Sequence, residues 1–144
     1  ILSCLVGSEM CIRDRFQYEV AERICEHEGS KKYGIISVIT QAYYKTSLLF
    51  EVSNNLFTPP PKVNSAVISL KRKKNINLNC DEKLFLKIVK LSFQQRRKTI
   101  RNSLKQINLS DNLREDIIFD KRPEQLSVNE FIDLTNLVSH DLNN

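Results

Sequence analysis

The chain has 144 residues, of which 41% are hydrophobic and 27% are charged, a composition typical of a globular protein and not of a disordered one. No apolar run approaches the roughly 20 residues that a membrane-spanning helix needs, so an integral membrane protein of the helical kind is excluded. The 4 cysteines are irregularly spaced without a C-x-x-C pair. The pattern therefore favours reduced thiols in a cytoplasmic protein over a disulfide framework or a zinc site.

The net charge of +5 conceals an uneven distribution. Residues 62–105 carry 13 basic and 2 acidic side chains, a local net charge of +11, whereas residues 106–144 carry 3 basic and 8 acidic ones. A local excess of this size favours a polyanionic partner, with nucleic acid as the first candidate. The alternative is a solvated face whose cations pair with the acidic C-terminal segment.

The first predicted helix begins near Phe16 and ends before Gly29. Phe16, Val20 and Ile24 follow helical spacing, and glycine commonly terminates a helix. Residues 35–44 fit two conformations, because their β-branched side chains favour a strand while their apolar positions also form one helical stripe. Periodicity does not decide between the two. The short apolar stretch at residues 47–52 predicts a strand.

The three consecutive prolines at residues 59–61 predict a stiff, extended loop. Residues 63–70 then predict a strand that is apolar on both faces and lies inside a sheet. Phe57 and Lys62 flank the prolines. An aromatic ring on a rigid edge beside a cation could stack on an unpaired base while the cation meets a phosphate. The alternative is a core phenylalanine that precedes a turn.

After a polar connector, the pattern becomes helical. Asp81 is a candidate N-cap for an apolar stripe over residues 84–93, and Ser127 with Glu130 forms a capping box before a last helix. A further helix is predicted over residues 98–107. The chain therefore divides near residues 71–80 into a mixed α/β part and a small helical part.

The stretch QRRKTIRNSL concentrates cations on this further helix. Arg97 and Arg101 are four positions apart and would share one side, as would Lys98 and Asn102. Arginine matches phosphate oxygens in a bidentate manner, so such a face can follow a nucleic-acid backbone. No nucleophile with an adjacent base, no glycine-rich phosphate loop and no metal site accompany it.

Six motifs carry a resemblance to a known family: EVAERI, YGIISVITQAYY, LFEV, FTPPPKVNSAV, QRRKTIRNSL and RPEQLSVNEF. In this order and spacing, across residues 16–138, they resemble the KsgA-type small-subunit rRNA adenine N6-dimethyltransferases. Such enzymes use S-adenosylmethionine to dimethylate two adjacent adenosines in a hairpin near the 3′ end of small-subunit rRNA. The resemblance implies an α/β fold, namely the C-terminal part of a Rossmann-like methyltransferase domain followed by a small all-helical domain.

The resemblance also assigns roles to residues. It implies a helix over residues 35–44 and places Phe57 at the target-base pocket. The partners it implies are small-subunit rRNA and the small ribosomal subunit, bound by a cytoplasmic monomer. The residues expected to face rRNA are Lys62, Lys71, Arg72, Lys73, Arg96, Arg97, Lys98, Arg101 and Asn102.

In the family, the glycine-rich turn that binds S-adenosylmethionine and the N-L-P-Y motif precede EVAERI. Residues 1–15 match nothing in the family and are expected to be a non-native head outside the fold. Residues 16–74 would then be a partial methyltransferase domain and residues 75–144 the helical domain. The expectation is a C-terminal fragment that holds no catalytic, cofactor-binding or metal residues and is inactive alone.

Three alternatives remain within reach of the sequence. Methylases that confer macrolide resistance share the F-x-P-x-P-K-V-x-S loop but act on large-subunit rRNA, and QRRKTIRNSL with FTPPP fits them less well. Related mitochondrial transcription factors bind DNA and a polymerase. A non-catalytic module that binds RNA during ribosome assembly would use the same basic face.

Overall fold

The computed structural model describes residues 11–74 and 77–143, which form a sheet followed by a helical part. None of the helices in these two ranges has the length and apolar character that crossing a membrane requires. The helices and strands are, in chain order, β1 (Cys11–Gln17), α1 (Tyr18–Cys25), α2 (Ile35–Tyr43), β2 (Tyr44–Val52), β3 (Ser65–Arg72), α3 (Glu82–Gln94), α4 (Ile100–Ser103), α5 (Asp111–Arg114) and α6 (Val128–Leu142). Single 3-10 turns lie at Asn54–Leu56, Ile117–Asp120 and Pro123–Gln125.

In the described residues, β3 is the central strand of a three-stranded sheet in the order β1-β3-β2. Both pairings are antiparallel, and Ala66 faces Phe16 on one side and Glu51 on the other. A bulge interrupts β2 between Leu48 and Phe50. The predicted interior strand is confirmed, because its backbone groups are paired on both sides.

Residues 11–15 differ from the expectation that they lie outside the fold. They form most of β1 and pair with β3, with Cys11 opposite Lys71 and Arg15 opposite Val67. The reason is that the backbone of β3 offers hydrogen-bonding groups to any extended neighbour, whatever its side chains. Residues 1–10 lie outside the described residues, and the non-native origin of the head stays a prediction.

Two hydrophobic clusters hold these elements. The smaller one packs α1 on the sheet through Ala21, Ile24, Ala66 and Ile68. The larger one fills the helical part and reaches into α2. Its members include Tyr33, Val38, Ala42, Phe85, Ile88, Val89, Ile100, Leu104, Phe119, Leu126, Phe131, Leu134 and Val138.

Helix α2 resolves the ambiguity over residues 35–44 in favour of a helix. Val38 is fully buried in the larger cluster. The same helix is bonded to the end of α1, because the Ser37 hydroxyl donates to the Arg23 carbonyl oxygen at 2.5 Å and Gln41 Nε2 donates to that of Glu26 at 2.7 Å. Val38 and Ala42, four residues apart, both belong to the larger cluster, as one helical stripe requires.

The helix predicted over residues 98–107 is wrong in its extent. The chain leaves α3 at Gln95, turns through residues 95–99 and is helical again only over Ile100–Ser103. The Lys98 N–H closes this turn on the Gln95 carbonyl oxygen at 2.8 Å. Burial of Ile100 in the larger cluster fixes the new direction, and this contact is not visible in local spacing.

Candidate nucleic-acid interface

The loop between β2 and β3 presents Phe57. The 3-10 turn Asn54–Leu56 begins at Ser53, whose hydroxyl accepts from the Asn55 N–H at 3.4 Å. The Phe57 N–H then donates to the Asn54 carbonyl oxygen at 3.3 Å. The Phe57 ring is half-buried and belongs to neither hydrophobic cluster of the described residues, which disfavours the alternative of a core phenylalanine.

A guanidinium group lies over the Phe57 ring. The Cζ atom of Arg15 is 4.4 Å from the ring centroid, a cation–π contact with an exposed arginine. The guanidinium occupies one face of the ring, and a stacked base would take its place. Sequence reasoning missed Arg15, because only the pairing of β1 with β3 brings the two residues together.

The site of Phe57 and the cations at the end of β3 are separated by the strand itself. Phe57 and the exposed Lys62 precede Ser65 at the start of β3, while Lys71 and Arg72 are exposed at its other end. At about 3.3 Å per residue, the strand holds its two ends roughly 20 Å apart. These cations therefore lie too far from the ring to contact the same nucleotide, and their role in rRNA binding stays a prediction.

Lys73 is engaged with the end of α2. Its Nζ donates to the Gln41 carbonyl oxygen at 2.6 Å, and its backbone N–H donates to that of Tyr43 at 3.0 Å. A lysine is favourable at the negative end of a helix dipole. In this conformation Lys73 joins the sheet to α2, and any rRNA contact would compete with that bond.

The basic stretch at residues 96–101 lies on a turn and a short helix, not on one helical face. Arg96, Arg97 and Lys98 occupy the turn, and Arg101 lies in α4, so the predicted alignment of Arg97 with Arg101 is wrong. Arg97 and Lys98 are exposed. Within residues 11–74 and 77–143, the side chains of these two residues form no hydrogen bond or ion pair, so they are available to an anion.

Two of the arginines are paired with carboxylates. Arg96 Nε is 3.0 Å from Glu124 Oε2, and its Nη2 donates to the Ser30 carbonyl oxygen at 3.1 Å. Arg101 Nη2 is 2.8 Å from Asp120 Oδ1. The acidic C-terminal segment thus neutralises part of the basic stretch, as the alternative of a paired face predicted.

Asn102 also turns inward. Its Nδ2 donates to Thr99 Oγ1 at 3.1 Å and stabilises the first turn of α4. The candidate rRNA-facing residues therefore divide into exposed side chains and side chains that are bonded to other residues of the protein. Arg97 and Lys98 belong to the first group, and Arg96 and Asn102 to the second.

The described residues do not fit the S-adenosylmethionine site that the resemblance implies. That site needs a glycine-rich turn between a strand and a helix. Gly29 has a φ of +91° in the turn after α1, and Gly34 is the N-cap of α2. Neither glycine directly follows a strand, so neither forms the glycine-rich turn that this cofactor site needs.

Comparison with known proteins gives concordant matches. A family model described as ribosomal RNA adenine dimethylase matches residues 15–140. The ribosomal RNA small subunit methyltransferase A of Flavobacterium johnsoniae is 66% identical over 126 residues, covering 88% of this chain and 48% of that protein. Its namesake from Bacteroides thetaiotaomicron is 57% identical over 133 residues, covering 92% and 50%. The chain spans about half the length of the curated relatives it matches.

Solved structures show the same fold. A dimethyladenosine transferase from Plasmodium falciparum matches 91% of this chain and 57% of its own, with a TM-score of 0.81 and 21% identity. The 23S rRNA methyltransferase ErmE matches 88% of this chain and 55% of its own, with a TM-score of 0.53 and 20% identity. The predicted fold class, part of a Rossmann-like methyltransferase domain followed by helices, is confirmed.

Proposed function

Because the chain belongs to the ribosomal RNA adenine dimethylase family, we propose that it serves the N6-dimethylation of two adjacent adenosines in a hairpin near the 3′ end of small-subunit rRNA. S-adenosylmethionine is the methyl donor of this proposal. The residues described here are assigned rRNA binding and base stacking, and no step of methyl transfer. The proposed setting is the bacterial cytoplasm, where a monomer binds the small ribosomal subunit.

The Phe57 ring carries the proposal. The lone pair of adenine N6 is delocalised into the base, so methylation requires the base to be extracted and held in line with the donor. An aromatic ring that belongs to neither hydrophobic cluster of the described residues and already meets a guanidinium across its face supports such a role. Stacking of one base on this ring is worth roughly 1–3 kcal/mol.

The exposed cations supply the remaining affinity in this proposal. Lys62 follows the prolines of the Phe57 loop, and Arg97 and Lys98 lie on the turn between α3 and α4. Each phosphate contact releases counterions from the RNA, so binding should weaken steeply as salt is added.

The first prediction concerns stacking on Phe57. An RNA hairpin that carries 2-aminopurine at the target adenosine should lose fluorescence when the chain binds, because the flipped base stacks on the ring. In Phe57→Ala the quench at saturation should largely disappear, while the dissociation constant rises by no more than about tenfold, the equivalent of 1.4 kcal/mol. Fluorescence titration measures both quantities.

Phe50→Ala is the matched control, since Phe50 is another accessible phenylalanine, 56% exposed on β2. It should leave the quench unchanged. Equal quenching by the Phe57→Ala variant and the parent chain would refute a stacking role for Phe57.

A non-catalytic rRNA-binding module is the second candidate. The observation in its favour is that Arg97 and Lys98 are exposed, because contacts of these side chains with phosphates need no cofactor. Salt-dependent binding of the hairpin without any change in 2-aminopurine fluorescence would favour this candidate over the first.

A further inference from the structure

The side chain of Asn64 joins the two ends of the loop that carries Phe57. Its Oδ1 accepts from the Asn54 N–H at 3.1 Å, and its Nδ2 donates to Glu51 Oε1 at 2.7 Å. Asn54 is the first residue of the 3-10 turn, and Glu51 belongs to β2. One side chain at the start of β3 thus fixes both the end of β2 and the beginning of the loop.

The orientation of this amide follows from its partners. A backbone N–H can only donate and a carboxylate can only accept, so the oxygen must face Asn54 and the nitrogen must face Glu51. The Asn64 carbonyl oxygen also accepts from the Tyr18 N–H at 2.9 Å, which anchors the same residue to the start of α1. Asn64 is therefore held in one orientation from three directions.

The contacts continue from Asn64 to the ring. The Asn64 side chain holds Asn54. The Asn54 carbonyl oxygen in turn accepts a hydrogen bond from the Phe57 N–H at 3.3 Å. The Asn54 side chain donates to the Pro61 carbonyl oxygen at 3.2 Å, across the loop. The backbone on both sides of Phe57 is thereby tied to one hydrogen-bonded frame.

We propose that Asn64 is a positioning residue for the Phe57 ring: its amide joins Glu51 to Asn54 and so holds the loop in the conformation in which a base can stack. This inference rests on the proposed function. Asn64 is exposed and belongs to neither hydrophobic cluster of the described residues. Its loss should therefore loosen the loop without unfolding the protein.

The test exchanges the donor and the acceptor. Asn64→Asp keeps an oxygen for the Asn54 N–H but removes the donor and sets a second carboxylate against Glu51. Adding Glu51→Gln restores one donor and one acceptor between the two positions. Asn55→Asp is the matched control, because it introduces the same charge into the same loop, within the 3-10 turn Asn54–Leu56. In the part of the chain that the structure describes, the Asn55 side chain has no hydrogen-bond partner.

The first readout is amide hydrogen exchange in the free chain. Exchange at Asn54 and Phe57 should be about tenfold faster in Asn64→Asp, as expected when a charge-assisted hydrogen bond is lost. It should return to the parental rate in Asn64→Asp with Glu51→Gln and stay parental in Asn55→Asp. The temperature of global unfolding should not change.

The second readout is the 2-aminopurine quench. If Asn64 only stabilised the fold, the quench and the affinity for RNA would fall together. Asn64→Asp should lower the quench at saturating RNA while the dissociation constant rises by no more than about tenfold, as for Phe57→Ala, because Arg97 and Lys98 lie outside this loop. The double variant should recover the quench.

Parental exchange rates in Asn64→Asp, or no recovery in the double variant, would overturn the inference. Failure of the proposed function is a separate result. If Phe57→Ala leaves the quench intact, base stacking is wrong, while the exchange rates still decide whether Asn64 positions the loop.

Discussion

At the scale of single residues, two arginines one position apart have different environments. Arg96 is held by Glu124 and the Ser30 carbonyl oxygen, whereas Arg97 is exposed. An arginine already bound to a carboxylate gains little from a phosphate, because it must give up one partner for the other. Only the unpaired side chain is expected to add a full counterion-release contribution.

Arg97→Gln should accordingly reduce the slope of log affinity for the rRNA hairpin against log salt concentration by about 0.7–0.9. Arg101→Gln should change the slope less, because Arg101 is paired with Asp120. Arg23→Gln is the control, since Arg23 lies on α1 and pairs with Glu19. Fluorescence titrations at several salt concentrations measure the slopes. Equal slopes for the parent and Arg97→Gln would argue for a solvated face.

At the scale of elements, local signals predicted the starts of α3 and α6 correctly, whereas the first helix begins at Tyr18 and not near Phe16, which lies in β1. The Asp81 side chain accepts from the Lys83 and Leu84 N–H groups at the start of α3. Ser127 and Glu130 form the capping box of α6, as the S-x-x-E spacing predicted. These contacts span three residues, so the sequence contains all that decides them. The break after α3 depends instead on burial of Ile100 against distant elements, and spacing alone did not reveal it.

The α6 cap should make stability sensitive to acid. Hydrogen bonds from the Lys121 ammonium and the Ser127 backbone lower the pKa of Glu130 from its usual 4.5. The folded state therefore favours the carboxylate. This contribution is complete above pH 4.5 and is lost as pH falls through the lower folded-state pKa.

Glu130→Gln retains the capping geometry but cannot titrate, so it should lose less stability than the parent between pH 7 and about pH 3. Ser127→Ala should cost about 0.5–2 kcal/mol at pH 7. Thermal unfolding followed by circular dichroism measures both. The same acid loss in Glu130→Gln and the parent would assign the effect to other carboxylates.

At the scale of the whole molecule, α2 belongs to both parts of the structure. Val38 lies in the larger cluster with the helical part, while Ser37 and Gln41 bond to the end of α1, which packs on the sheet. The larger cluster therefore extends across residues 71–80, where composition predicts the division between the two parts.

A cavity in the helical part should consequently loosen the sheet. Ile88→Ala in α3 should cost about 2–5 kcal/mol, and protection of the β3 amides from hydrogen exchange should fall with it. Leu56→Ala is the control, because Leu56 is 76% exposed and should contribute little. Unchanged β3 protection in a destabilised Ile88→Ala variant would indicate two separate folding units.

The sequence predicted the fold class well, because the six motifs span both the sheet and the helices. The candidate site was predicted only in part. Phe57 stood out through its neighbouring prolines, but Arg15 above it and Asn64 beneath its loop depend on strand pairing and loop closure. The carboxylate partners of Arg96 and Arg101 depend on how the turn after α3 and helix α4 meet residues 120–124. Such contacts join distant parts of the chain, so no local pattern encodes them.

The bulge in β2 has a consequence for self-association. Leu48, Leu49 and Phe50 are exposed on this edge strand, and a row of apolar residues on a straight edge invites pairing with another copy. The register shift between Leu48 and Phe50 breaks the regular spacing of donors and acceptors that an incoming strand would need. The bulge should therefore disfavour fibril-like growth through this edge, and deletion of Leu49 should remove that effect.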